Sequence, residues 1–84
     1  MNPTPDIVVY TVPGCSRCRA VMDHLYERGA KYRVVMVQGN FGGLRELVRL
    51  TGSSTVPVTR LGDEWVLGFD PEALDRLLGL SNPV

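Results

Sequence analysis

The strongest constraint on the fold of this chain is the position of its two cysteines, Cys15 and Cys18, which are separated by two residues. They follow a β-branched apolar run at residues 7–10 and a Pro-Gly turn at residues 13–14, and they begin a stretch with helical periodicity. A Cys-x-x-Cys pair at a strand-to-helix junction is typical of a dithiol that cycles with a disulfide. The pair therefore indicates that the fold begins with a strand followed by a helix, and that the cysteines carry out redox chemistry.

Length and charge narrow the classes of function. The 84 residues include nine basic and nine acidic side chains, which balance and form no block of like charge. This length predicts one domain, residues 1–84, and the balance disfavours a nucleic-acid partner or a polybasic membrane contact. We find no basic region followed by a hydrophobic core in the first residues, and no apolar run near the ~20 residues that span a bilayer. We therefore expect a cytoplasmic protein without a membrane partner, where a lone cysteine pair suits a redox centre better than a structural staple.

Apolar periodicity predicts the first half of the fold. The strand at residues 7–10 leads into a helix that ends at Gly29, followed by a largely buried strand at residues 32–37. Glycines predict a flexible connection at residues 39–43 before a second helix, which ends near Gly52. The inward positions expected in the two helices are Cys18, Val21, Met22 and Leu25, and then Leu44, Leu47, Val48 and Leu50.

The second half predicts a hairpin and a last helix. Strands at residues 56–60 and 64–67 flank a tight turn at residues 61–63. Asp70 and Pro71 begin a third helix as cap and first residue, with Ala73, Leu74, Leu77 and Leu78 facing inward. Right-handed crossover makes the first two strands parallel and the hairpin makes the last two antiparallel. The order βαβαββα in an α/β chain, a mixed four-stranded sheet flanked by three helices, is the thioredoxin fold.

Three segments carry a family resemblance across most of the chain. Residues 10–18, residues 55–58 and residues 68–71 resemble the signature segments of glutaredoxins and of the similar NrdH-type redoxins. Their order and spacing are compatible with the family throughout. The resemblance implies thiol-disulfide exchange.

The chemistry of the cysteines can be argued from their position. A thiolate at a helix N-terminus meets unpaired N–H groups and the positive end of the helix dipole, which lower its pKa. We therefore assign Cys15 as the nucleophile and Cys18 as the resolving thiol, with Arg17 adding positive charge beside them. A structural or zinc-binding pair is the alternative, but zinc normally takes four ligands, and besides the thiols the chain offers only His24. We assign no metal site.

The resemblance implies further substrate-binding residues. Val56 and Pro57 resemble the cis-proline turn whose backbone pairs with an extended substrate. Gly68, Phe69 and Asp70 resemble the turn that binds glutathione or a docking protein, although Asp70 can equally be a helix cap.

The chain departs from the glutaredoxin pattern at two places. It has Val12 where glutaredoxins commonly have a lysine that meets a glutathione carboxylate, and it has Ser16 and Arg17 between the cysteines where dithiol glutaredoxins have proline and tyrosine. Trp65, three residues before Gly68, resembles the NrdH-type pattern and is expected in the core or as a docking aromatic. Asp70 departs from that pattern, which usually has a basic residue there, and as an alternative can meet the ammonium group of glutathione. The two departures from the glutaredoxin pattern favour a thioredoxin reductase over glutathione as the electron donor.

We thus expect a monomeric thiol-disulfide oxidoreductase without a permanently bound cofactor. Its reductant is thioredoxin reductase or glutathione, and its substrates are protein disulfides, with ribonucleotide reductase among the acceptors. The alternatives are a glutathione-assisted iron–sulfur cluster carrier and a redox-inactive adaptor with the same fold. We expect His24 at the surface, and Met22 and Met36 as core filler.

Overall fold

The computed structural model describes residues 7–79, and its elements follow the predicted order. They are β1 (Ile7–Thr11), α1 (Ser16–Glu27), β2 (Tyr32–Met36), α2 (Phe41–Thr51), β3 (Val58–Leu61), β4 (Glu64–Leu67) and α3 (Pro71–Leu77). The order βαβαββα is therefore confirmed. The ends of the predicted domain, residues 1–6 and 80–84, lie outside the described residues. No helix in the described part of the chain is long and apolar enough to cross a membrane.

The four strands form one mixed sheet in the order β2-β1-β3-β4. β1 runs parallel to β2, with Ile7 opposite Tyr32 and Thr11 opposite Met36, because α1 provides the crossover that parallel neighbours require. β3 is antiparallel to both β1 and β4, and a tight turn joins β3 to β4. This is the thioredoxin fold.

Side chains of β1 enter two hydrophobic clusters on opposite faces of the sheet. The cluster under α1 and α3 contains Ile7, Val9, Val21, Leu25 and Leu74. The cluster under α2 contains Val8, Tyr10, Val37, Leu47 and Val58. Because successive side chains of a strand point to opposite faces, β1 is buried on both, which explains its almost continuous apolar sequence.

The prediction that the second strand is largely buried is wrong. β2 is an edge strand, and its Val34 and Met36 are 45% and 41% exposed. Met36 is therefore not core filler. A short apolar run is equally compatible with a central strand and with an edge strand that nothing covers, so the sequence alone could not separate them.

α2 begins earlier than the glycines suggest. The last three residues of the expected flexible connection, residues 39–43, form the first turn of α2, because Oδ1 of Asn40 caps it by accepting the N–H of Gly43 at 3.0 Å. Gly43 also permits close packing, since a Cβ there would lie 2.8 Å from Cγ1 of Val35. Val48, expected to face inward, is 41% exposed, because the buried stripe of α2 is narrower than its apolar stripe.

The expectation that His24 lies at the surface is also wrong. His24 is only 7% exposed, and its Nε2 lies 2.8 Å from Oδ1 of Asp75. The guanidinium of Arg28 donates to both oxygens of the same carboxylate, at 3.0 and 3.2 Å. α3 therefore covers the side of α1 that carries His24, and Asp75 links the two helices although they are far apart in the sequence.

Candidate active site around Cys15 and Cys18

Cys15 and Cys18 lie where β1 passes into α1. The chain turns at Gly14, whose φ of 72° is in the left-handed region that glycine tolerates. Cys15 then occupies the N-cap of α1, and its sulfur accepts the backbone N–H of Cys18 at 3.2 Å. Cys15 is partly exposed, whereas Cys18 is buried, with 1% of its surface exposed. Only the first sulfur is therefore open to a large reaction partner.

The pKa values of the two thiols shift in opposite directions. The pKa of Cys15 is lowered, chiefly by a hydrogen bond from the Cys18 thiol and further by backbone N–H groups and the charge of Arg17, which together outweigh desolvation. The pKa of Cys18 is raised, chiefly by burial and also by its hydrogen bond to Cys15. Cys15 is therefore the sulfur that ionises first, while Cys18 keeps its proton.

The Val56–Pro57 peptide bond is cis, as the family resemblance implies. β3 is antiparallel to β1 and begins opposite Tyr10, so this bond lies at the same end of the sheet as Cys15. The carbonyl of Pro57 accepts the N–H of Gly68 at 2.8 Å. The structure therefore brings the loop before β3 together with the turn between β4 and α3.

The remaining residues predicted to bind substrate have distinct surroundings. Oδ1 of Asp70 accepts the N–H of Ala73 at 3.1 Å, which confirms that Asp70 caps α3. Phe69 is 42% exposed, and its ring meets that of His24 edge-on, with 6.0 Å between the centroids. Arg17 is exposed on the first turn of α1. Sequence reasoning missed the contact between His24 and Phe69, because no local pattern links positions so far apart.

A second feature of the site, a cavity of about 610 Å³, opens between α1 and β2. We call it the β2 groove, and its walls include Cys15, Cys18, Met22, Val34 and Met36. It lies on the β2 side of β1, whereas Pro57 precedes β3 on the other side. Sequence reasoning missed this groove because it predicted β2 as buried.

Comparison with known proteins agrees with this geometry. The Glutaredoxin family model matches residues 7–66. The chain belongs to the glutaredoxin family. It is 33% identical over 73 residues to a glutaredoxin of Pseudomonas aeruginosa, an alignment that covers 86% of this chain and 87% of that protein.

Solved structures of glutaredoxins and related redoxins have the same fold. The glutaredoxin of Archaeoglobus fulgidus superimposes with a TM-score of 0.81 at 24% identity, covering 88% of this chain and 86% of that one. NrdH-redoxin from Escherichia coli, a glutaredoxin-like protein with a thioredoxin-like activity profile, superimposes with a TM-score of 0.74 at 28% identity. That comparison covers 94% of this chain and 97% of NrdH-redoxin. The resemblance to glutaredoxins and NrdH-type redoxins is thus confirmed.

Glutaredoxin family members are typically thiol-disulfide oxidoreductases, and the spacing of Cys15 and Cys18 fits that chemistry. Val12, which replaces the lysine common in glutaredoxins, is partly buried against the cluster under α2. Trp65 is 38% exposed on β4. Within residues 7–79, no group of three or more His, Cys, Asp or Glu side chains is placed to hold a metal ion.

Proposed function

We propose that this protein is a small dithiol thiol-disulfide oxidoreductase that reduces protein or glutathione mixed disulfides through Cys15 and Cys18. The observation that carries the proposal is the contrast between the two thiols. Cys15 is accessible and has a lowered pKa, whereas Cys18 is buried, has a raised pKa and donates to it. A nucleophilic thiolate and a protonated reserve thiol are what a two-step exchange requires.

In the first step, the Cys15 thiolate attacks one sulfur of the substrate disulfide. The substrate S–S bond breaks, a substrate thiolate leaves, and Cys15 is joined to the other substrate sulfur. In the second step, Cys18 loses its proton and attacks the sulfur of Cys15, which releases the second substrate thiol. The substrate gains two electrons and two protons overall, and the protein is left with a disulfide between Cys15 and Cys18.

The loops at the same end of the sheet suit an extended substrate. In this proposal the backbone of Val56 and Pro57 aligns the segment beside the disulfide. The bond between the Pro57 carbonyl and Gly68 supports this role, because it holds the two loops together. Phe69 provides an exposed apolar contact, and Arg17 offers a cation to substrate carboxylates.

Our leading reductant for the oxidised protein is a thioredoxin reductase, and glutathione is the rival. Two features support the first: Val12 stands where glutaredoxins commonly have a lysine, and Ser16 and Arg17 stand between the cysteines in place of proline and tyrosine. Glutathione therefore lacks one cationic partner and one aromatic contact here. The proposal includes a catalytic monomer in a reducing cytoplasm, with ribonucleotide reductase among the acceptors.

Coupled NADPH consumption tests the proposal. Oxidised protein is mixed with thioredoxin reductase in one assay and with glutathione plus glutathione reductase in another, and Cys15→Ser is the control. We expect turnover in the first assay that Cys15→Ser abolishes. Turnover only with glutathione would reverse the choice of donor and leave the reaction intact. Turnover in neither assay, with brown colour after anaerobic purification, would replace the proposal with an iron–sulfur cluster carrier.

A further inference from the structure

The β2 groove points to the class of substrate that the proposed reaction takes. We propose that it binds an extended protein segment that pairs with the free edge of β2 and packs apolar side chains on Met22, Val34 and Met36. This inference rests on the proposed function, because it assumes that the bound segment brings a disulfide to Cys15. It differs from the contacts proposed above, which lie on the β3 side of β1.

β2 lies at the edge of the described sheet. In the sheet formed by residues 7–79, β2 pairs with β1 alone, so its other side offers backbone N–H and C=O groups to an added strand. Edge strands are commonly protected by charged side chains or proline. The one charged residue within Tyr32–Met36 is Arg33, which is opposite Val8 and so lies on the α2 face. The groove face of β2 therefore carries no charged residue.

The β2 groove has an apolar wall. Val34 and Met36 of β2 lie opposite Val9 and Thr11 of β1, respectively. Both side chains are therefore on the face of the sheet that α1 covers. They are nevertheless 45% and 41% exposed, because α1 leaves the groove open above them. Met22 lines the same groove from α1. The volume of about 610 Å³ falls within the roughly 300–1,000 Å³ typical of ligand pockets.

The lining of the β2 groove suits a polypeptide better than a small polar ligand. The groove is continuous with both cysteines, and among the described residues that line it, Arg19 alone is charged. A carboxylate-rich tripeptide would leave most of this apolar wall unfilled, whereas a polypeptide with large apolar side chains would cover it. Arg19 is already ion-paired with Asp23, with 3.7 Å between Nε and Oδ1, so the groove places no demand for charge on the segment.

Strand geometry adds a rule for the sequence of the segment. Successive side chains of a strand alternate between faces, and the cysteine must point toward α1 to reach Cys15. Side chains that pack on Val34 and Met36 must therefore occupy positions two and four residues from that cysteine. Apolar residues at odd spacings would point to the α2 face and miss the groove.

Two peptides of identical composition test this rule, each joined to a small thiol through its cysteine. One has leucines two and four residues from the cysteine, and the other has them three and five residues away. The second-order rate constant with reduced protein is measured in a single turnover, so no reductase takes part. We expect wild-type protein to prefer the first peptide by about tenfold, from partial burial of two leucine side chains.

The double variant Val34→Thr/Met36→Gln tests the groove without adding charge or changing side-chain size greatly. We expect the ratio of the rate constants for the two peptides to fall to about one in this variant. Phe41→Gln/Val48→Thr is the matched control, because these exposed residues lie on α2, and it should keep the wild-type preference.

Equal rates for the two peptides with wild-type protein would overturn the inference and leave the proposed function standing. An unchanged preference in the double variant would also overturn it. A wild-type dimer in sedimentation analysis that the double variant dissociates would assign the groove to a second copy of the chain. If wild-type protein reacted with both peptides no faster than Cys15→Ser does, the proposed function itself would be rejected.

Discussion

Replacing Cys18 with alanine should make Cys15 a weaker nucleophile. The Cys18 thiol is the largest of the influences that lower the pKa of Cys15, and Cys18→Ala removes it while keeping the backbone N–H that donates to the same sulfur at 3.2 Å. The variant therefore isolates the side-chain hydrogen bond from the helix N-terminus. The sign is fixed because a hydrogen bond to the thiolate favours the charged form.

The size of the effect follows from the strength of that bond. Hydrogen bonds to charged groups contribute roughly 1.5–3 kcal/mol, but a thiol is a weak donor and Cys15 is partly exposed, so we take about 1 kcal/mol. Because about 1.4 kcal/mol is a tenfold change in ionisation, the variant should have about fivefold less thiolate at a pH below the wild-type pKa. At high pH, the Cys15 thiol is fully ionised in both proteins, so the difference in thiolate content should vanish.

The rate of alkylation by iodoacetamide, followed by mass spectrometry across a range of pH, measures this effect. Wild-type protein should be modified first at Cys15, and its pH profile should lie to the acid side of the profile of Cys18→Ala. Ser16→Ala is the control, since Ser16 is not among the groups that lower the pKa of Cys15. Superimposed profiles for wild type and Cys18→Ala would refute the reasoning, because they would show that the Cys18 thiol does not stabilise the thiolate.

Two further predictions concern the scaffold. Gly43→Ala should lower the free energy of unfolding by about 1–3 kcal/mol, because its Cβ would lie 2.8 Å from Cγ1 of Val35. Gly42→Ala should raise the free energy of unfolding by up to about 1 kcal/mol through helix propensity. If urea denaturation showed that both variants change the free energy of unfolding in the same direction, the close packing of Gly43 on Val35 would be contradicted. Asp75→Asn should lower the thermal unfolding midpoint at neutral pH, because it weakens the contacts to Arg28 and to His24. Those contacts, the arginine first, hold the pKa of Asp75 below its ordinary value of 3.8. The difference from wild type should therefore shrink as the pH falls through that lowered pKa, and a pH-independent difference would count against the pairing.

The parts of the fold that depend on local chemistry could be predicted from the sequence. Cys15 and Cys18 follow a β-branched strand and open a helix, and Asp70 precedes Pro71, so the caps and the element order follow from neighbouring residues. The cis bond before Pro57 required the family resemblance, because an isolated Val-Pro pair is usually trans.

The parts that depend on strand order and on contacts between distant elements could not be predicted. Val34 and Met36 are exposed because β2 lies at the edge of the sheet, and local periodicity does not report a strand's place in a sheet. His24 is buried because Asp75 on α3 packs over it. The β2 groove depends on the first of these facts, so the sequence indicated the two cysteines and not the wall beside them.

Trapping of the mixed disulfide shows whether Cys15 attacks the substrate and Cys18 resolves the intermediate. Reduced Cys18→Ser is mixed with a glutathione mixed disulfide of a peptide, and the products are identified by intact-mass and peptide mass spectrometry. We expect a stable adduct at Cys15, no adduct in Cys15→Ser over the same time, and a Cys15–Cys18 disulfide in wild-type protein. An adduct that forms on Cys18 in Cys15→Ser as fast as on Cys15 in Cys18→Ser would contradict it.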